Sequence, residues 1–452
     1  MKVHKQIWFM LFIISLVACN TIDPPDPPIT PQPNATLTLK DVSCLEAWIK
    51  LELENIELPV NVTLTKDSIQ VLQINNLTSS DTIVYIDSLQ PNQTYKFQSV
   101  IQSINQTSEV KSNKLNVVTL DTTSHNFSYT VYEFGDVSSS IIYDVSIVGN
   151  EIWAVGEIYM NDSTGNPVRY NAVHWNGSEW TKIRIPYIFQ GQPYYHPIQS
   201  VFSFGENDIW FCGNGVIHWD GNNYVPISIP SNVWGPYQMN KLWGTSSNDL
   251  YVVGNEGNIV HYNGSQWKRV ESGTNLALTD INGKNENEVY ISGAYTPEVK
   301  GILLKGNYSG FSVMINSGII NQNELFEKLY GELAAVWIDE TGTIYTGGNL
   351  LFRYKNDSWN YETSLPENFI GGNPGAYYRG FLSSIRGNAS NDYIIAGDRN
   401  TLKHFNGFTW DQLGLPYSPT STIIWYSVEQ KGNTAVAVGD IDKKAIIMVL
   451  NR

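Results

Sequence analysis

Four of the seven histidines stand at the same place in a recurring tetrad: His174-Trp175-Asn176-Gly177, His218-Trp219-Asp220-Gly221, His261-Tyr262-Asn263-Gly264 and His404-Phe405-Asn406-Gly407. Imidazoles that converge can hold a transition metal. Recurrence at one position of successive units instead spreads them apart, so structural hydrogen bonding is expected and no metal site is predicted. Carboxylates offer a second chemistry. Any two of Glu157, Asp162, Glu298, Glu332 and Glu367, if held about 5–10 Å apart, would supply the acid and nucleophile of a glycan-cleaving enzyme. The stretch Asn161-Asp-Ser-Thr-Gly165 carries too few carboxylates for calcium and reads as a polar loop. No nucleophile motif or phosphate loop is visible, and no cofactor is expected. The third chemistry is contact. Tyr194, Tyr195, Trp234, Tyr237, Tyr377 and Tyr378, with Arg379, lie in loops poor in charge, which suits sugar stacking or a protein hot spot. The same rings would also serve to pack those loops onto their scaffold.

The elements that position these residues repeat. The clearest unit runs from Leu242 to Trp267, and glycines at 156, 213, 254, 293, 347, 397 and 439 mark related units, spaced 57, 41, 39, 54, 50 and 42 residues apart. Seven units of this length predict a seven-bladed β-propeller of four-stranded blades over residues 126–452. Asn-Gly pairs at 176–177, 263–264 and 406–407, with Asp220-Gly221, mark the hairpin before four of the outer strands. Trp180, Tyr224, Trp267, Phe311, Trp359 and Trp410 open those strands and are expected to pack between blades. The seventh unit ends at Arg452 without an outer strand, whereas the alternating segment 126–134 precedes the first unit without a role of its own. Residues 126–134 are therefore predicted to complete the last blade. Short turns fall on one face of such a ring. Long, dissimilar connections (186–196, 232–237, 369–379, and a short helix expected at 323–330) fall on the other, where binding residues collect.

Composition narrows the classes. Of 452 residues 42% are hydrophobic, 12% aromatic and 16% charged, which argues against disorder. Three cysteines cannot staple a chain of this length, and Cys44 and Cys212 read as buried thiols. The formal net charge of −15 offers no basic surface, so nucleic acid is not an expected partner.

Lys2, Lys5 and the apolar run 7–18 form a targeting signal, about half as long as a membrane-spanning helix needs. Its end, Leu16-Val17-Ala18-Cys19, resembles the bacterial lipobox. That resemblance implies a signal peptide over 1–18, acylation of Cys19, attachment to the membrane through lipid, and an outer-membrane location facing periplasm or exterior. Residues 19–34, rich in proline, would be a semi-rigid tether. Residues 35–122 alternate in short runs and predict a β-sandwich. Leu89-Gln-Pro-Asn-Gln-Thr-Tyr95 resembles the corner segment of fibronectin type III domains, although Trp48 is out of phase with Ile49, Leu51 and Leu53. The repeats themselves resemble propellers of bacterial envelope and secreted proteins. Sialidases share that architecture, but the Ser-x-Asp lead of their repeat motif is missing, and eight scattered arginines form no triad pattern.

The expectation is therefore all-β: a fibronectin type III-like sandwich, then a seven-bladed propeller. The protein would be a lipid-anchored, monomeric envelope binding or adhesion protein engaging a glycan or protein through its long-loop face, without catalysis. A glycan-cleaving enzyme and a structural assembly platform are the alternatives.

Overall fold

The structure is a computed structural model that describes residues 31–104, 109–317, 331–355, 358–361, 381–415 and 423–452. The chain is all-β; among the described residues one short 3-10 turn, Thr296–Glu298, stands among the strands. By contacts it divides into two units. Met1–Thr38, Lys50–Ile83 and Lys96–Leu115 form one, and Leu39–Ile49, Val84–Tyr95 and Asn116–Arg452 form the other.

The N-terminal strands make two sheets. Asn34–Val42, Ala47–Glu54 and Asp81–Ile86 form one, and the second is built around Val60–Lys66 and Thr94–Ser103. The backbone N–H of Gln90 donates to the Tyr95 hydroxyl at 2.9 Å, making a corner hydrogen bond. Ala47, Trp48 and Ile49 are all buried, which accounts for the break in alternation at Trp48. Within the second unit the Trp48 ring lies 5.4 Å from that of Tyr85 and has the Lys355 ammonium 4.2 Å above its centre, so this strand is covered on both sides.

Seven four-stranded antiparallel sheets follow among the described residues. Sheet 1 comprises Ile141–Val148, Glu151–Asn161, Pro167–Trp175 and Trp180–Ile183. Sheet 2 comprises Ser200–Gly205, Asp208–Cys212, Val216–Trp219 and Tyr224–Ile227. Sheet 3 runs over Met239–Ser246, Asp249–Gly254, Ile259–Tyr262 and Trp267–Val270, and sheet 4 over Ala277–Asn285, Glu288–Tyr295, Lys300–Asn307 and Gly310–Ser317. Sheet 5 has Leu333–Ile338, Ile344–Gly348, Leu351–Lys355 and Ser358–Tyr361, and sheet 6 has Leu382–Ala389, Asp392–Gly397, Leu402–Phe405 and Trp410–Gln412. Sheet 7 takes Ile423–Lys431, Thr434–Ile441 and Lys444–Asn451 from the end of the chain, and its outer strand is Ser128–Phe134, paired in register from Asn451↔Ser128 to Ala445↔Phe134.

Turn chemistry explains the outer hairpins. Asn176, Asp220, Asn263 and Asn406 each turn the side-chain oxygen onto two backbone N–H groups two and three residues ahead, at 2.7–3.1 Å. This is the local bond for which Asn and Asp are favoured in turns. Packing then joins the sheets. Each consecutive pair encloses its own apolar cluster. A further cluster lies between sheet 7 and sheet 1, where Val436, Val438 and Ile447 meet Ile142, Ile147 and Ala154. In sheets 1 to 6 the aromatic ring opening the outer strand sits in the cluster shared with the preceding sheet: Trp180, Tyr224, Trp267, Phe311, Trp359 and Trp410. Burying one such ring contributes roughly 1.5–3 kcal/mol.

Six first strands share a β-bulge near their start, which makes Tyr143, Asn240, Thr279, Ala334, Ser383 and Tyr426 the extra residues. A bulge re-aims the side chains around it, and the residues just after these bulges build two buried hubs. Asp144 accepts from Lys241 Nζ (2.6 Å), Ser427 Oγ (2.8 Å), Ser200 Oγ (2.6 Å) and the Val201 N–H (3.1 Å), tying sheets 7, 1, 2 and 3 together. Asp280 accepts a bidentate pair from Arg386 (2.7 and 3.0 Å) and the Val336 N–H (3.0 Å), tying sheets 4, 5 and 6. Burial alone would raise the Asp144 carboxyl, but the Lys241 ammonium and the serine hydroxyls outweigh it and hold the group below its ordinary range.

Candidate functional site

The four tetrad histidines do not converge. Each Nε2 meets the acid that opens the second strand of its own sheet: Glu151 for His174 (3.0 Å), Asp208 for His218 (2.8 Å), Asp249 for His261 (2.6 Å) and Asp392 for His404 (2.9 Å). In sheet 5 the cross-strand equivalent of His261 is Arg353, with Thr343 where the acid would stand. Within the second unit Arg353 instead takes the Glu46 carboxylate in two 2.7 Å bonds. Among the described residues no three His, Cys, Asp or Glu side chains come together as a metal site. Cys44 and Cys212 are buried free thiols, and burial pushes Cys44 up to about 11.

The candidate carboxylates serve local structure. Glu157 accepts from the hydroxyls of Tyr143 (2.9 Å) and Tyr159 (3.0 Å). Asp162 closes the loop 162–166 by accepting from the Thr164 hydroxyl and the N–H groups of Thr164 and Asn166, which hold its carboxyl below the ordinary range. Glu298 pairs with Lys300. Glu332 is buried, which raises its carboxyl, and it accepts from Thr296 Oγ1 at 3.0 Å. Glu367 lies outside the described residues, as do Tyr377, Tyr378, Arg379 and the segments 323–330 and 369–379.

The aromatic loop residues gather at the connections leading into and out of sheet 2. After sheet 1 the chain makes a hairpin, Tyr187–Phe189 paired with Gln192–Tyr194. Its turn is the two residues Gln190-Gly191, both with positive φ (50° and 75°), a conformation for which Gly carries no steric cost. Tyr187 is buried in the cluster between sheets 1 and 2. Its neighbours Ile188, Phe189 and Tyr194 remain exposed, at 51%, 61% and 45%. His196 follows, its ring stacked on Tyr194 at 6.1 Å and 15°.

The second wall comes from the connection between sheets 2 and 3. Pro230 O accepts from the N–H groups of Val233 and Trp234, and this turn drives Trp234 into the cluster between those sheets, where it is only 6% exposed. Its indole N–H donates to Tyr237 O at 2.8 Å. The ring lies so close to Gly254 that a Cβ there would sit 2.9 Å from it. Trp234 is thus a locked wall, not the free stacking platform that its place in a polar loop suggests. Tyr237 stays exposed at 42%.

Between these walls lies a cleft of two lobes, ≈ 580 and ≈ 600 Å³, which share His196, Asn214, Trp234 and Met239. Among the described residues lining either lobe there is no Asp, Glu, Lys or Arg. Tyr194, Trp234 and Tyr237 are brought together here. Tyr195 is not: its ring lies under the Arg184 guanidinium at 3.7 Å and its carbonyl accepts from Arg169 Nε at 2.8 Å. Ile188 and Phe189 belong to the cleft without having been singled out by sequence. The signal was the alternation of Tyr187-Ile-Phe-Gln-Gly-Gln-Pro-Tyr194 about a Gln-Gly turn. Nothing in the sequence marks Asn214 or Met239 as its shared wall.

No family model matches the chain. It is similar to the immune protein Tsi7 of Pseudomonas aeruginosa, 31% identical over 114 residues, or 24% of this chain and 34% of that protein. The chain therefore spans about a third of the length of that curated relative. Among solved structures it resembles YCF48 bound to D1 peptide, at TM-score 0.51 and 13% identity over 73% of this chain and 99% of that one. The WD40 β-propeller domain of Doa1 (TM-score 0.46, 11% identity, 72% of this chain and 97% of that one) is a more distant likeness. So is the GH74 xyloglucanase from Xanthomonas campestris (TM-score 0.33, 10% identity, 76% and 66%). The likeness to YCF48, with the succession of four-stranded sheets, gives the chain a propeller-like, all-β fold.

Proposed function

We propose that this chain is a lipid-anchored envelope binding protein that engages its ligand through the cleft flanking sheet 2 and carries out no catalysis there. In this reading Cys19 bears the lipid, residues 19–34 are the tether and residues 35–122 a fibronectin type III-like spacer. Residues 126–452 form a seven-bladed propeller, monomeric at the bacterial outer membrane. The observation that carries it is the cleft itself: exposed Phe189, Tyr194 and Tyr237 beside a lining without charge among the described residues. Large rings on a rigid scaffold are what binding hot spots are made of, and a fold likeness to YCF48 bound to D1 peptide supports a binding role.

The test is full-length protein on immobilised peptide and glycan arrays, compared with the double variant Ile188→Ser/Phe189→Ser. Both side chains are exposed, so the variant is expected to melt with the wild type. Binding on either array that falls at least about tenfold, the equivalent of one large apolar contact, supports the face. Binding that survives the double change removes it.

A further inference from the structure

The two lobes of the cleft differ in chemistry, and the difference selects an occupant. One lobe is walled by Ile188, Phe189, Val216, Pro226, Ile227 and Ile229. The other presents the side chains of Gln199, Asn214 and Gln238 beside His196. Among the described residues these three amides make no side-chain hydrogen bond within the protein. A primary amide carries both donor and acceptor, the same pair that each peptide group of an extended chain offers.

Three of the ring faces, by contrast, are wholly or partly covered. Trp234 is buried against Gly254, Tyr194 has one face on His196, and Tyr237 lies over Gly235, where a Cβ would sit 2.7 Å from its ring. A sugar ring stacks on open faces; here Phe189 is the most exposed ring, at 61%, and Ile188, Val216, Pro226, Ile227 and Ile229 line the same lobe with aliphatic surface. Charge narrows the choice further. The lining holds no ion pair partner among its described residues, and the chain as a whole carries −15. A charged segment would lose hydration there without compensation, and an acidic one would also be repelled.

We propose that the occupant is an uncharged, extended segment of another protein, its backbone read by Gln199, Asn214 and Gln238, and one large apolar side chain seated between Ile188, Phe189 and Ile227. This rests on the binding role proposed for the same cleft and goes further by naming the class of ligand.

The experiment uses full-length protein and short synthetic peptides of Ser, Thr, Asn, Gln and Gly. Each carries one central Phe, Leu or Ile, and matched sets carry Ser, Lys or Glu at that place. Neutral oligosaccharides are printed beside them. Peptides with the apolar anchor are expected to bind at least about tenfold more tightly than the Ser set, and the Lys and Glu sets not to bind. Asn214→Ala/Gln238→Ala should weaken every anchored peptide while leaving the preference among anchors intact. Ile188→Ser/Phe189→Ser should erase that preference. All four positions are at the surface, and equal melting temperatures establish that the variants are folded. Binding to oligosaccharides alone, lost in the Ile188/Phe189 variant, overturns the peptide assignment and leaves the binding face standing. Binding of charged peptides, anchor-independent binding, or no peptide binding at all overturns the assignment outright.

Discussion

Two imidazoles meet where the chain turns into the outer strand of sheet 7: His125 Nδ1 lies 2.8 Å from His404 Nδ1. His404 is fully buried and bonds through Nε2 to Asp392, which also accepts from Gln430, Asn388 and Arg452. If His404 keeps its proton for Asp392, its Nδ1 is an acceptor. His125 must then be the neutral tautomer that donates from Nδ1 and meets the Thr409 hydroxyl with Nε2 at 3.0 Å. A second proton on the pair would set N–H against N–H or leave a cation at a crowded site. Burial, then the neighbouring His404 and Arg452, push His125 below its ordinary 6.5, against the pull of Asp411. The unfolded chain therefore binds this proton first as pH falls, so the stability that depends on neutral His125 is complete above about 6.5 and is lost below it. Asp392 works in another window. Burial would raise it, but the bonds from His404, Arg452, Asn388 and Gln430 hold it far below 3.8, so its contribution persists until pH falls beneath the ordinary carboxylate range. We predict that the melting temperature drops between pH 7 and 5, and that His125→Asn flattens this step while the loss below pH 4 remains. An unchanged slope in the variant would assign the step to another group.

At the scale of elements, Ser128–Phe134 has its one ladder partner among the described residues in Lys444–Asn451. Deleting 126–134 leaves that strand as an open edge and strips Val131, Tyr132 and Phe134 from the clusters on either side. Calorimetry should show the single transition broken up or lost; a deletion that melts like wild type would refute the dependence. The repeats were legible in sequence because their turns are made by local bonds. Asn176, Asp220, Asn263 and Asn406 satisfy their own backbone, and the aromatics that follow sit at fixed offsets from them. The cleft was legible only in part, because its walls are set by packing between units. Trp234 and Tyr237 are three residues apart and look alike in sequence, yet Pro230 O and Gly254 bury one and leave the other exposed. Tyr194 and Tyr195 part in the same way: strand pairing leaves the first exposed, and Arg184 stacks on the second. The bulges that place Asp144 and Asp280 leave no mark in composition or period.

Across the whole molecule, those two carboxylates link sheets that are not neighbours in sequence. Asp144 is bonded from three sheets besides its own, and removing it would strand the Lys241 ammonium, which is 17% exposed. Breaking one partner of such a buried pair typically costs about 3–5 kcal/mol. Asp144→Ala is therefore expected to lower the urea midpoint of the whole ring of sheets, and adding Lys241→Met should recover much of the loss. A double variant no better than the single would show that the serine and backbone bonds, not the lysine, carry the hub.

The late-made strand has a consequence in time. The hydrogen bond from Ser128 Oγ to Asn451 O joins residues 323 positions apart. At ribosomal rates of about 5–20 residues per second, Ser128–Phe134 waits on the order of 15–60 s for its partner. Until residues 444–451 are made, sheet 7 lacks one side of its outer ladder. A nascent chain in that condition carries an unpaired strand edge, with Val131, Tyr132 and Phe134 short of their packing partners, until residues 444–451 emerge.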